Sequence, residues 1–127
     1  MGLEPGLVGS VQANVDRAMT AHALGSGDLE VLGTPAVLAL VERAAMRALE
    51  GRLEPDQTTV GSTVELRHVA PTPVGETVEA TARLASVEGR RLQFEVRVVD
   101  RAGTVAEGRH GRVIVDRERF SAAARER

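Results

Sequence analysis

Between Thr34 and Leu49 the chain carries its longest run of helical periodicity. At about 100° per residue, Arg43, Arg47 and Glu50 fall on one narrow stripe, and almost everything else is apolar. This predicts a helix buried over most of its circumference. Elsewhere the apolar positions alternate with period two, the mark of half-buried strands. Val11, Ala13 and Val15 alternate with Ser10, Gln12, Asn14 and Asp16 to predict a first strand. A second, ending at His68, sets Val60, Ser62, Val64, Leu66 and His68 on the inward face and Thr59, Thr63, Glu65 and Arg67 on the other. Val78, Ala80, Ala82 and Leu84 mark a third, and Glu88-Gly89 turns it back into a fourth carrying Leu92, Phe94, Val96 and Val98. A last strand runs from about Thr104 to Val115. Its alternation slips between Gly108 and Gly111, which predicts a bulge there. Turn-rich stretches at Gly25-Ser26-Gly27-Asp28, Pro71 to Gly75 and Arg101-Ala102-Gly103 punctuate these elements, and a short helix is expected after Asp116. One apolar helix followed by long antiparallel strands gives an α+β class, with the sheet wrapped around the helix.

The length of 127 residues suits a single domain spanning 1–127, with just enough chain to bury a core; a sizeable pocket would need help from a partner chain. A net charge of -2 with interspersed signs argues against a nucleic-acid surface, and 2% aromatic residues leave no platform for stacking bases. There is no cysteine, hence no disulfide framework, thiolate nucleophile or Cys-zinc site, and no metal site is expected. With no signal segment and no apolar run long enough to span a bilayer, the expectation is a cytoplasmic protein without a membrane partner. All basic residues are arginine, which excludes Schiff-base chemistry on lysine. No G-x-S-x-G elbow, H-E-x-x-H or P-loop occurs, so the serine-hydrolase, zincin and nucleotide-hydrolase readings lose their usual support.

Candidate chemistry centres on Glu42, the one carboxylate on the apolar side of the helix. It lies beside Leu38, Ala45 and Leu49, while Arg43 and Arg47 stand at i+1 and i+5, where helix neighbours do not pair. Without a local partner, a carboxylate losing water is expected to hold its proton more tightly, which suits a general base or nucleophile in a dry pocket. Thr34-Pro35 reads as a helix start, with the hydroxyl at N-cap and proline at N1. The same helix end offers free N–H groups to a developing oxyanion. His68 points inward from its strand, as a core histidine or as the imidazole of a site shared with Glu42. His22, in an irregular stretch, and His110, beside the expected bulge, read as structural residues.

The segments Val31-Leu32-Gly33-Thr34-Pro35, the helix with Glu42, Thr59 through His68, Ala70-Pro71-Thr72-Pro73-Val74-Gly75, Val87 through Leu92, and Ala106-Glu107-Gly108-Arg109-His110 resemble the fluoroacetyl-CoA thioesterase-like branch of the hotdog-fold thioesterases. The resemblance spans nearly the whole chain and includes the spacing from Thr34 to Glu42 to His68. It implies an acyl-CoA thioesterase working as a homodimer, able to assemble further, with sheets joined edge to edge and the site at the subunit interface. Thr34, Glu42 and His68 would be catalytic. Gly61 would approach the thioester through its backbone, Arg112 would contact the CoA or acyl part, and Leu32 and Gly33 would complete the substrate-binding set. No cofactor is implied, because CoA is part of the substrate. Fluoroacetyl-selective members carry an aromatic lid; here Val31-Leu32 precede the motif, and only Phe94 and Phe120 are aromatic. The expectation is therefore a short to medium acyl chain. The rival reading is a non-catalytic hotdog dimer that binds acyl-CoA or a small apolar ligand, with Glu42 in a structural network. A hydratase on the same fold ranks behind both, since no matching motif is present.

Overall fold

A computed structural model describes residues 2–127. Strand β1 (Val8–Asn14) leads through one 3-10 turn, Arg17–Met19, into a one-turn helix α1 (Ala21–Leu24), and then into the long helix α2 (Thr34–Ala48). Strands β2 (Gln57–His68), β3 (Thr77–Glu88), β4 (Arg91–Asp100) and β5 (Gly103–Asp116) follow, and helix α3 (Arg117–Arg125) closes the chain. The five strands form one antiparallel sheet in the order β1-β3-β4-β5-β2, so β1 and β2 are its edges. This is the α+β hotdog arrangement, a sheet curled around one long helix.

Helix α2 buries Val37, Leu40, Val41, Ala44, Ala45 and Ala48 against Val11, Val78, Ala80, Ala82, Leu84, Phe94, Val96 and Val98 of the sheet. Small residues set the spacing. A β-carbon on Gly9 of β1 would collide with the backbone of α2 at Ala44 and Ala48, so glycine lets the helix press directly onto that strand. The helix packs mainly over β1 and β3 and leaves the inward face of β2 partly open, where Val64 remains 43% exposed.

The start of α2 differs from the expectation. Gly33 occupies the cap position with no side-chain bond, and Thr34 is the first helical residue, one position inside the helix from where a capping hydroxyl sits. Gly33 N–H donates to the Met19 carbonyl at 2.8 Å, and Leu32 N–H to that of Thr72 at 2.8 Å, so main-chain bonds to neighbouring segments hold this end. A β-carbon on Gly33 would lie 3.0 Å from Ala21, which explains the glycine as close packing against α1. His22 stands in α1 and pairs with Glu30 at the surface.

The strand readings need two corrections. The register of β2 against β5 shifts between Gly61 and Thr63, where an extra residue swings the alternation over. Beyond the bulge, Val64, Leu66 and His68 face inward as expected. Before it, Thr59 is the inward residue, 4% exposed, together with Gly61. In β5 the irregularity falls at Val105, between the pairs Val98–Ala106 and Val99–Thr104, rather than between Gly108 and Gly111. There the alternation runs true, and its inward positions are polar: His110 and Arg112 are 2% and 5% exposed.

Candidate active site

Gly61, Thr59, His110 and Arg112 share the inward face where β2 meets β5, and Glu42 descends on them from α2. Glu42 does have a partner, supplied by β5 rather than by its own helix. Its Oε2 accepts from Arg112 Nη1 at 3.3 Å and lies 4.0 Å from His110 Nε2. The carboxylate is not dry either, its side chain being 42% exposed. It is thus a charge anchored at one oxygen and open to solvent at the other, for among the described residues Oε1 accepts no hydrogen bond.

Arg112 is the buried centre of the cluster. Its Nε donates to Thr59 Oγ1 at 2.8 Å and its Nη2 to the Thr59 carbonyl at 3.0 Å. Nη2 also donates to Met46 Sδ at 3.3 Å, and Nη1 to His110 Nε2 at 3.1 Å as well as to Glu42. Five N–H groups meet five acceptors, the full capacity of a guanidinium. Burial lowers the pKa of Arg112, opposed by the nearby Glu42 charge. Arg112 therefore offers no free donor to CoA or an acyl group in this arrangement; what it holds is Glu42.

Gly61 is required sterically. A β-carbon there would collide with Glu42 Oε2 and stand 3.3 Å from His110 Cε1. Above it, Leu38, Glu42, Gly61, Ser62, Thr63, Val64 and His110 line an open cavity of about 180 Å³. Leu38, Glu42 and Met46 follow one another at i, i+4 and i+8, so a single stripe of α2 borders the whole site.

Thr34 and His68 form a second group. Thr34 Oγ1 lies 2.8 Å from His68 Nδ1, a hydroxyl–imidazole pair that the absence of a capping role leaves free to form. His68 Nε2 is buried without a partner among the described residues, and burial lowers the pKa of this imidazole, opposed in smaller measure by the backbone of Ala70. Val31, Leu32, His68, Val69, Ala70 and Pro71 line a cavity of about 240 Å³ beside it. Leu32 is itself a core residue, 1% exposed.

The two groups do not meet within one chain. Thr34 and Glu42 stand eight positions apart on the helix, on the order of 12 Å along the axis. Glu42 has His110 beside it, and His68 has Thr34. His110 reads as structural in sequence because no second catalytic residue type stands beside it; the cross-strand pair Val64–His110 brings it onto the inward face, next to Arg112 and Gly61. Thr59 escaped notice because the bulge reverses its face. A polar pair at i and i+2, His110 and Arg112, inside a strand otherwise buried on one side was the signal present in sequence. Phe94 is buried against His110, ring centroids 6.3 Å apart, and Phe120 lies on α3, so neither borders the cavity beside His68.

Comparisons with known proteins agree with this architecture. The family described as fluoroacetyl-CoA-specific thioesterase matches residues 15–118. A fluoroacetyl-CoA thioesterase from Streptantibioticus cattleyicolor is 39% identical over 98 residues, covering 77% of this chain and 70% of that protein. The solved structure of the fluoroacetyl-CoA thioesterase FlK superposes with a TM-score of 0.93 at 32% identity, over 100% of this chain and 98% of the other. A thioesterase superfamily member from Thermus thermophilus superposes with a TM-score of 0.89 at 26% identity, over 97% and 91% of the two chains.

Proposed function

Since the chain belongs to the fluoroacetyl-CoA-specific thioesterase family and is a thioester hydrolase acting on acyl-CoA, we propose that it cleaves short to medium acyl-CoA thioesters at a site completed by two copies of the chain. The observation that carries this reading is the separation of Glu42, seated over Gly61 of the edge strand β2, from the Thr34–His68 pair at the far end of the same strand. Strand β2 carries both Gly61 and His68. If two copies pair antiparallel along β2 about an axis between Val64 and Glu65, Gly61 and the Glu42 above it come opposite the partner's His68.

In this site Glu42 Oε1 is the reacting atom. It either attacks the thioester carbonyl, expelling CoA thiolate and leaving an acyl anhydride that water opens, or takes a proton from the water that attacks. The backbone beside Gly61 and the Thr34–His68 pair polarise the carbonyl and orient the nucleophile. FlK has been solved with acetyl-CoA as a threonine variant, and with fluoroacetate and CoA as a phenylalanine variant. The aliphatic Val31 and Leu32 beside His68 favour a small alkyl acyl group here over fluoroacetyl.

Thiol release from acetyl-, fluoroacetyl-, butyryl- and octanoyl-CoA tests the substrate range, with Glu42→Ala and His68→Ala beside wild type. Each variant alone should be inactive yet folded. Mixed and reassembled, they should recover about a quarter of wild-type activity, since half the dimers are mixed and each carries one intact composite site. No recovery from two folded, dimerising variants would place the site within a single chain. Oxygen-18 from water found in Glu42 after single turnover would assign the anhydride route, and its absence the water route.

A further inference from the structure

We propose that His110 is a positioning residue for thioester hydrolysis: its neutral imidazole accepts from Arg112 at Nε2 and so holds the guanidinium in the orientation that reaches Glu42. The inference rests on Glu42 being the reacting carboxylate and extends the site by one residue.

The geometry fixes the tautomer. His110 Nδ1 lies 2.8 Å from the Thr63 carbonyl oxygen, which can only accept, so the ring proton is on Nδ1. Nε2 then carries a lone pair, and it faces an N–H of Arg112 Nη1 at 3.1 Å. The ring cannot swing away, being 2% exposed and stacked on Phe94 at 30°. Thr59 grips the Nε and Nη2 side of the guanidinium, while the Nη1 side is held by two contacts only, His110 and Glu42. Of these the Glu42 bond is the longer, at 3.3 Å, and its carboxylate is half in solvent. His110 is thus the rigid member of the pair. Removing its acceptor strands a buried N–H and leaves the Nη1 end of Arg112 held only by the half-exposed carboxylate that it has to orient.

The same contact makes the site sensitive to protonation. The groups facing His110 are Arg112 on its own strand, Glu42 on α2, Thr63 on β2 and the Phe94 ring on β4. A proton on Nε2 would turn the acceptor into a donor aimed at a guanidinium donor. Burial favours the neutral ring most and the Arg112 charge adds to it, against the Thr63 carbonyl bond and, more weakly, Glu42.

The test is steady-state hydrolysis of acetyl-CoA from pH 5.5 to 8.5 by wild type, His110→Leu, His110→Gln and Glu42→Gln, with thermal unfolding of each. Leucine removes the acceptor, so kcat should fall at least about tenfold while KM moves by less than about threefold. Glutamine returns an acceptor oxygen near Nε2 that does not titrate, so it should restore most of kcat and make the acid limb of the profile shallower by one proton. Full activity in folded His110→Leu, or a glutamine variant as poor as leucine with the wild-type acid limb intact, would overturn the proposal. If leucine does not fold, the glutamine profile decides. Nitrogen-15 resonances of the wild-type ring also read the tautomer directly: a proton on Nε2 at pH 7.5 would overturn the proposal without any variant. The failures separate, because turnover abolished by Glu42→Gln yet indifferent to His110 sinks this role alone. Absence of hydrolysis across all four acyl-CoAs by wild type sinks the Glu42 reading and this role with it.

Discussion

At Glu42 one oxygen is tied to Arg112 and the other is free, and Gly61 is what allows the carboxylate to sit there. Gly61→Ala should therefore displace Glu42 from Arg112. A shift of about 1 Å at a reacting group costs on the order of a hundredfold in rate, so kcat for acyl-CoA should fall by about that factor. Stability should change little, because Glu42 is half exposed and can turn to water; thiol-release kinetics beside thermal unfolding separates the two effects. The two histidines give a second prediction. Burial lowers the pKa of both His68 and His110, so both are neutral in the fold at neutral pH. The unfolded chain takes up protons at the ordinary histidine pKa of about 6.5, above the folded values, and between those limits it binds more protons than the native state. The contribution is therefore fully present above about pH 6.5 and is lost as pH falls through the lowered folded values. Melting temperatures at pH 7.5, 6.5 and 5.5 should fall with pH, and His110→Gln should flatten the fall. Unchanged dependence in that variant would show that His110 does not titrate differently in the two states.

The elements that position the site were legible where one signal governed them, and illegible where two competed. Helix α2 is plain from its periodicity, and so are the β3–β4 hairpin and the inward set of Val64, Leu66 and His68. The first half of β2 was misread because one extra residue at the bulge reverses every face before it, and period-two reasoning carries no marker for that. In β5, buried His110 and Arg112 look like a slip in the pattern because alternation equates inward with apolar. Their polarity was the site showing through. Arg112 could not be assigned to Glu42 from spacing, the two being seventy positions apart, and the separation of His68 from Glu42 is a fact of three dimensions. At the start of α2, Thr34 has the residue type of a cap without its geometry. A capping threonine replaced by alanine costs typically about 1 kcal/mol. Thr34→Ala should fall well below that in urea unfolding, since Gly33 is the cap, while lowering kcat through the lost bond to His68. A full capping penalty with unchanged turnover would return Thr34 to a structural role.

On the whole molecule, the sheet offers three surfaces for association, and they are not equivalent. Its outer face is crossed by cross-strand ion pairs: Arg83 with Glu95, Arg109 with Glu65 and Arg67 with Glu107. Exposed pairs of this kind add little stability, and between them lies an open hollow of about 650 Å³ where Thr81, Val99 and Gly108 line the floor among the charges. The β1 edge is seven residues long, and Gly6 and Leu7 before it continue its pairing with β3 through main-chain bonds to Leu84. The β2 edge is twelve residues long, exposed from Gly61 to Glu65, and borders both cavities. An uncovered edge of that length is a template for another strand, and pairing it with a second copy would bury it and bring Glu42 toward the partner's His68. Light scattering should give a mass twice 13.5 kDa, and activity per chain should fall on dilution in step with loss of the dimer, because a composite site exists only in the assembled state. A monomer that keeps full activity per chain at nanomolar concentration would mean that Glu42 acts without the partner's His68.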